Sequence, residues 1–369
     1  MGMRCKWRDP VTDGSDTPVG ATVLVTDGGS GQGRSALAAV RALAKAQYRP
    51  IVTTSGRHSL AAASRWCAQS VATPPSSSPE YAEAVREVAN RTASLTVLAA
   101  SDVALLALDA PVAHLVDKAA LAEGAFAAGL ESPTSVACDN GDSVLSALAH
   151  ETVSLPVVVK PVISNEPARL VVSAEDASSL AGKVGPFLVQ PFIPGGMSAI
   201  AGVHVEGRML AAVQQRYLRT WPVACGTSCA AVTVPVDEGR LGAMSRVLGG
   251  YEGIFQAQFA GDVLIDVNPR VYGSLPLAVA AGVNLPAIWC GWLEGGPARS
   301  PLRGRAGVRY RWMEGDIRHI AGGLRSGQLG VRDALAALTP HPGTAHSVES
   351  LTDPAPLIAR LRFARSSHG

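Results

Sequence analysis

The chain has 369 residues, of which 47% are hydrophobic and 17% charged, and its formal net charge is +2 at pH 7. That length accommodates two or three packed units with cores of their own. The near-balanced charge excludes the electrostatic footprint of a nucleic-acid or membrane-surface binder, and no apolar run approaches the roughly 18 residues of a bilayer span.

Residues 1–18 lack an apolar signal core and read as a flexible, polar leader rather than a secretion signal. Lys6 also departs from the myristoylation pattern. The six cysteines (Cys5, Cys67, Cys138, Cys225, Cys229 and Cys290) lack a Cys-x-x-Cys pair, so they read as reduced structural thiols of a cytoplasmic protein.

"ATVLVT" (21–26) is a short β-branched run, expected as a buried parallel strand. A helix follows with Leu37, Val40, Leu43 and Ala44 on one face. "PIVTTS" (50–55) is a second strand, "RHSLAAASRWCAQS" (57–70) a second helix, and "SLTVLAAS" (94–101) a further strand after a Pro/Ser loop and a helix. This alternation predicts a Rossmann-like domain over 19–112.

The turn after the first strand reads Gly28-x-x-x-x-Gly33-Arg34-Ser35, the spacing of a phosphate-binding loop with arginine in the lysine position. Arginine is a poor replacement for a compact charge that must reach the β and γ phosphates. The dinucleotide fingerprint fails as well, because Gly29 and Gly31 would need glycine at position 34. Two readings stand for Gly28 to Gly33: a structural strand-to-helix turn, or a turn offering N–H groups to a substrate carboxylate. Nucleotide chemistry is expected elsewhere.

Beyond Pro111 the pattern changes. "VDKAALAEGAFAAGL" (116–130) predicts a helix, and "LPVVVKPVISNEPARLVVS" a strand, a polar loop and a returning strand. "GPFLVQPFIPGG" is extended. More strands are expected over 202–234, then a helix in "LGAMSRVLGG" and a hairpin in "GIFQAQFAGDVLIDVNPRVYGS". The tail beyond 297 shows only a short helix near 331–338.

The richest stretch is "VLIDVNPRVYGS". Asp266 and Asn268, two apart on a strand, leave the same face and present oxygens suited to Mg²⁺ that also holds phosphate. Gln258 on the preceding strand adds a third oxygen. Arg270 projects alongside and can neutralise a transferred phosphoryl group or clamp a carboxylate. Lys160 closes an apolar run before Pro161, an odd place for a surface charge. Lys118 opens a helix, which disfavours a cation unless it faces an anion.

In this order, Lys118 ("VDKAAL"), Lys160 ("VVVKP"), "FLVQPFIPGG", "FQAQF" and "LIDVNPRVYGS" resemble the ATP-grasp superfamily over roughly residues 20 to 290. The likeness is to its carbamoyl-phosphate-synthase-like branch and its carboxylate–amine ligases. The resemblance implies an α/β Rossmann-like pre-ATP-grasp domain followed by two α+β subdomains: 113–188 as the lid and 189–296 as the metal and substrate unit, with 297–369 as an extension. It implies ATP with Mg²⁺ (or Mn²⁺), phosphate contacts from Lys118 and Lys160, and an adenine hinge at Gln190, Pro191, Phe192 and Ile193. Metal ligands would be Gln258, Asp266 and Asn268, and Arg270 the catalytic arginine. A homodimer is the assembly usual in such proteins. Two departures stand out: Asp266 is shorter than the family's usual acid, and the expected glycine-rich lid is "ISNEPAR", so phosphate cover is expected from side chains such as Ser164 or Arg169.

On the substrate side, the resemblance implies an arginine and a Gly/Ser-rich segment holding the carboxylate or acyl phosphate, which makes Arg216 the candidate, with Arg219 nearby and "ACGTS" (224–228) as a turn. His204 is expected on a polar strand face without chemistry, and Arg309 and Arg311 on one face lining an acceptor site. The implied reaction joins a small-molecule carboxylate to an amine through an acyl phosphate, releasing ADP. Phosphorylation feeding a non-amine acceptor, and nucleotide binding without catalysis, are the alternatives; a dinucleotide oxidoreductase leaves the hairpin unexplained.

Overall fold

The computed structural model describes residues 20–28, 33–56, 58–108, 110–150, 152–162, 168–296 and 301–366. The leader, the middle of the glycine-rich turn and Ile163 to Pro167 of the lid segment, Ser164 included, lie outside the described residues.

Three sheets follow one another along the chain. The first contains β1 (Thr22–Asp27), β2 (Arg49–Thr54), β3 (Gln69–Ala72) and β4 (Val97–Leu98), all parallel in the order β3-β2-β1-β4. Val23, Leu24 and Val25 are fully buried, as expected of a strand covered on both faces. The helices Arg34–Lys45 and Tyr81–Arg91 supply cover. Two expectations fail here. Of the helix expected over 57–70, residues 58–70 form single turns instead, because the Ser59 and Ser64 hydroxyls compete for local backbone N–H groups, and the end becomes β3. Of the strand expected over 94–101, only Val97–Leu98 is regular strand.

The second sheet contains β5 (Val136–Asn140), β6 (Val157–Pro161), β7 (Arg169–Val171) and β8 (Val184–Pro191), antiparallel in the order β5-β8-β6-β7. The pairing Val157↔Val171 is the hairpin expected around the lid segment. β8 continues to Pro191, past the expected boundary at 188.

The third and largest sheet holds β9 (Met197–Val205), β10 (Arg208–Trp221), β11 (Thr227–Val234), β12 (Gly253–Ala260), β13 (Val263–Asn268), β14 (Leu302–Arg303), β15 (Arg309–Arg311) and β16 (Ala345–His346). Its order is β13-β12-β9-β10-β11-β15-β16, with β14 beside β10. The β9–β10 turn places Glu206 and Gly207 at φ 47° and 75°, the two left-handed residues of a tight hairpin. The tail contributes β14, β15 and β16, so it completes this sheet instead of extending beyond it.

Helix Arg34–Lys45 ties the first sheet to the third. Its buried Ala and Leu side chains share one core with Val23 and Val25 of β1, Val203 and Val213 of β9 and β10, and Leu275 and Leu285. This packing aims the helix start, Arg34, at the large sheet. The chain then returns to the first domain. Buried Asp353 accepts from Arg41 Nε at 2.9 Å, Ser64 Oγ at 2.7 Å and the Arg65 N–H at 3.0 Å, and Val348 packs on Leu37 and Leu60. Among the described residues no helix is long and apolar enough to cross a membrane.

Candidate active site

All three sheets contribute to one cavity of about 1010 Å³, lined by the turn after β1, by β6 and β8, by β12 and β13, and by Trp312 to Arg318. That volume is at the upper end of small-molecule sites.

At one end the β12–β13 hairpin pairs Gln256 with Asn268 and Gln258 with Asp266, so four oxygen-bearing side chains share one face. Lys118 reaches Asp266 from the start of helix Lys118–Ala127, whose first turn is capped by Asp117 Oδ1 accepting from Ala120 N–H at 3.1 Å. The cation at a helix N-terminus is thus explained by the anion it faces. Lys160 Nζ donates to the Ile265 carbonyl at 3.3 Å. Asn268 Nδ2 donates to Asp266 Oδ2 at 3.2 Å, and Arg270 donates to Asn268 Oδ1 at 2.7 Å. Arg270 also grips Asp102 through Nε at 2.7 Å and a second nitrogen at 3.1 Å.

The charges are mutually tuned. Burial opposes ionisation of Asp266, but Lys118, Lys160 and Arg270 together hold its carboxyl below the ordinary range. Burial lowers the Lys160 ammonium, with attraction to Asp266 acting against it and repulsion from Lys118 adding to it. The cluster carries three cations against Asp266 and Asp102, and so attracts a polyanion.

No protein-family model matches the sequence, and no curated protein matches it. Solved structures do match. An N5-carboxyaminoimidazole ribonucleotide synthetase in its ADP complex is 13% identical, with 95% of this chain and 96% of that chain covered and a TM-score of 0.59. The L-amino acid ligase of Bacillus licheniformis is 14% identical over 75% of each chain, with a TM-score of 0.54. The biotin carboxylase of Campylobacter jejuni, in complex with a β,γ-ATP ligand, is 16% identical over 76% of this chain and 72% of that one, with a TM-score of 0.53. The chain has the ATP-grasp fold.

In this fold the cavity brings together Lys118, Lys160, Gln190 to Ile193, Gln258, Asp266, Asn268 and Arg270, each singled out from the sequence. Gln190 is buried and its Nε2 donates to Ser135 Oγ at 2.8 Å. Phe192 N–H donates to the Pro156 carbonyl at 3.0 Å, which fixes the 190–193 segment as a wall. Among the described residues no group of three or more His, Cys, Asp or Glu could hold a metal ion. The available oxygens are the Asp266 carboxylate and the carboxamides of Asn268 and Gln258. Such a set suits Mg²⁺ that shares its ligands with phosphate oxygens, and not a cage built by protein alone.

Several substrate-side expectations are corrected. Arg216 is exposed on β10 and lies outside the cavity, because strand alternation sends it to the face opposite buried Gln215 and Tyr217. A bulge between Tyr217 and Arg219 turns Arg219 inward, where it pairs with fully buried Asp316. Arg311 Nε binds the same carboxylate at 2.7 Å, while Arg309 is exposed, so neither lines this cavity. Arg169 is exposed at the start of β7 and does not cover the site. His204 is fully buried instead of facing water, with Nδ1 at 2.6 Å from the Tyr251 carbonyl and Nε2 at 3.0 Å from Ser245 Oγ.

The cavity also contains residues that sequence reasoning missed. Gln256 faces Asn268 and was available from the two-residue period that identified Gln258. Asp102 caries the signature of a helix start after Ser101, whose Oγ accepts from Ala104 N–H at 3.2 Å, but nothing local marks it as the partner of Arg270. Arg34, Trp312, Glu314, Arg318 and Arg360 line the far end and come together only through the fold.

Proposed function

We propose that the chain is an ATP-dependent carboxylate–amine ligase. The reading rests on one observation: three cations and the Gln258, Asp266 and Asn268 oxygens, carried by separate segments, converge in a single cavity of an ATP-grasp fold. Solved neighbours of that fold hold ADP and magnesium, by their own descriptions. The units 113–188 and 189–296 then act as the two ATP-grasp subdomains, with the nucleotide between them.

The adenine lies against Gln190 to Ile193, and Lys118 and Lys160 exchange part of their hold on Asp266 and Ile265 for phosphate oxygens. Asp266, Asn268 and Gln258 would hold Mg²⁺, which would supply charge neutralisation. A carboxylate oxygen of the acid substrate attacks the γ phosphorus, the bond to the β-phosphate oxygen breaks, and an acyl phosphate and ADP result. An amine then attacks the acyl carbon, inorganic phosphate leaves and the amide forms with loss of the amine proton. Arg270, oriented by Asp102 and Asn268, neutralises charge on the transferred group. Positioning and electrostatics do the work, and no covalent intermediate on the protein is required.

The test is ADP release from Mg·ATP with hydroxylamine as surrogate amine and a panel of small acids. Acid-dependent ADP together with hydroxamate, both lost in Asn268→Ala, is the expected result. Formation of AMP instead of ADP would sink the acyl-phosphate mechanism.

A further inference from the structure

The far end of the cavity is built around Arg34. Its guanidinium lies 3.8 Å above the Trp312 ring. It donates to Tyr310 Oη at 3.2 Å and Thr227 Oγ1 at 3.4 Å, which leaves three of its five N–H groups without a partner among the described residues. Two glycines shape the stack. A Cβ on Gly273 would come within 3.2 Å of an Arg34 terminal nitrogen, and one on Gly315 within 2.4 Å of the Trp312 ring. Gly273 lies three residues after Arg270, so one segment serves both ends of the cavity.

The surrounding charges are already spent on one another. Glu314 is gripped by Arg360, at 2.9 and 2.7 Å, and by Arg318 at 2.8 Å. Asp316 is shared by Arg219 and Arg311. Asp27, which accepts from Ser59 Oγ at 2.7 Å, and Glu349 beside Tyr310 add two negative charges. Of the charged side chains lining this end, Arg34, Arg318 and Arg360 stand against Asp27 and Glu314, an excess of one positive charge, and among the described residues Arg34 is the one of these arginines without an ion pair. A guanidinium seated 3.8 Å from an indole centroid, with Nε–H and one N–H on each terminal nitrogen still unpartnered, matches one carboxylate.

We infer that the acid substrate is a dicarboxylate: one carboxylate is phosphorylated at the Lys118–Arg270 end, and a second, non-reacting one is read by Arg34 on Trp312. The inference rests on the ligase reading for the first carboxylate. Arg34 is then a specificity-determining residue. The single excess charge favours a carboxylate over a more highly charged phosphate group.

The experiment uses the full chain and three probes of similar length: butyrate, glutarate and 3-phosphonopropionate. Binding is followed by tryptophan emission without ATP, with Trp312→Phe to identify the reporting ring, and Mg·ADP binding is measured separately. Glutarate is expected to bind at least about tenfold tighter than butyrate, the size of one charge-assisted pair. Arg34→Met should bring the ratio to near one, Arg34→Lys should restore it in part, and Arg216→Met on the opposite strand face should leave it unchanged. Equal binding of butyrate and glutarate, no saturable glutarate response, an unaltered ratio in Arg34→Met, or preference for the phosphonate would each overturn the dicarboxylate assignment. Loss of Mg·ADP binding in the unmutated protein would instead sink the ATP-dependent reading.

Discussion

Arg270 and Asp102 clasp each other across the cavity floor, 168 positions apart, through two hydrogen bonds of 2.7 and 3.1 Å. The pair joins the end of β13 to the first helical residue after β4, so it fastens the first domain to the strand that carries Asp266 and Asn268. Asp102→Asn keeps the shape and removes the charge. Both side chains are partly exposed, which places the cost at about 1–3 kcal/mol, below that of a fully buried pair. Thermal denaturation should show it, and acid-dependent ADP release should fall because Arg270 loses its orientation. An unchanged melting temperature would mark the clasp as a loose surface contact.

Lys160 sits where binding and stability oppose each other. Burial is the main influence on its ammonium and lowers its proton affinity, so the charged form is held at a cost to the fold. Lys160→Met should therefore leave the melting temperature unchanged or raise it. The same variant should weaken Mg·ADP by about tenfold or more, the effect of losing one charged contact to phosphate. A variant that lost stability and kept nucleotide affinity would show that the lysine serves the fold alone.

Acid should weaken the same cluster from the other side. The Asp266 carboxyl is held below its ordinary value, so its contribution is fully present above the unfolded value of about 4 and is lost as pH falls through the folded value. The melting temperature of the unmutated chain should decline between about pH 5 and pH 3 more steeply than that of Asp266→Asn. Parallel curves for the two proteins would remove Asp266 from the acid response.

Arg216→Ala makes a prediction of the opposite kind. An exposed arginine on the face of β10 turned away from the cavity should change stability by no more than about 0.5 kcal/mol and leave nucleotide binding intact. A large fall in turnover would mean that the strand face is engaged in some other state of the protein.

What could be read in advance was whatever depends on local period. Asp266, Asn268, Gln258 and Arg270 follow from the two-residue repeat of a hairpin, and Lys160 from a charge closing an apolar run. Arg216 was chosen by its place in the chain relative to similar ligases, which does not say which face of β10 meets the cavity. The bulge beside Arg219 then changes the count. The 57–70 segment has helical composition, yet its serines serve Asp27 and Asp353, partners that no local pattern reveals. Arg34 and Trp312 are 278 positions apart, and their stack exists only once β15 has joined the sheet.

The tie between Asp353 and the first domain also sets an order of events during synthesis. The first sheet can form early on the ribosome, but Arg360, which neutralises Glu314 in the cavity wall, emerges among the last described residues. Until then Glu314 faces the cavity without the two hydrogen bonds that Arg360 supplies. That end of the cavity is therefore completed late, when the returning segment docks Asp353 against Arg41 and Ser64.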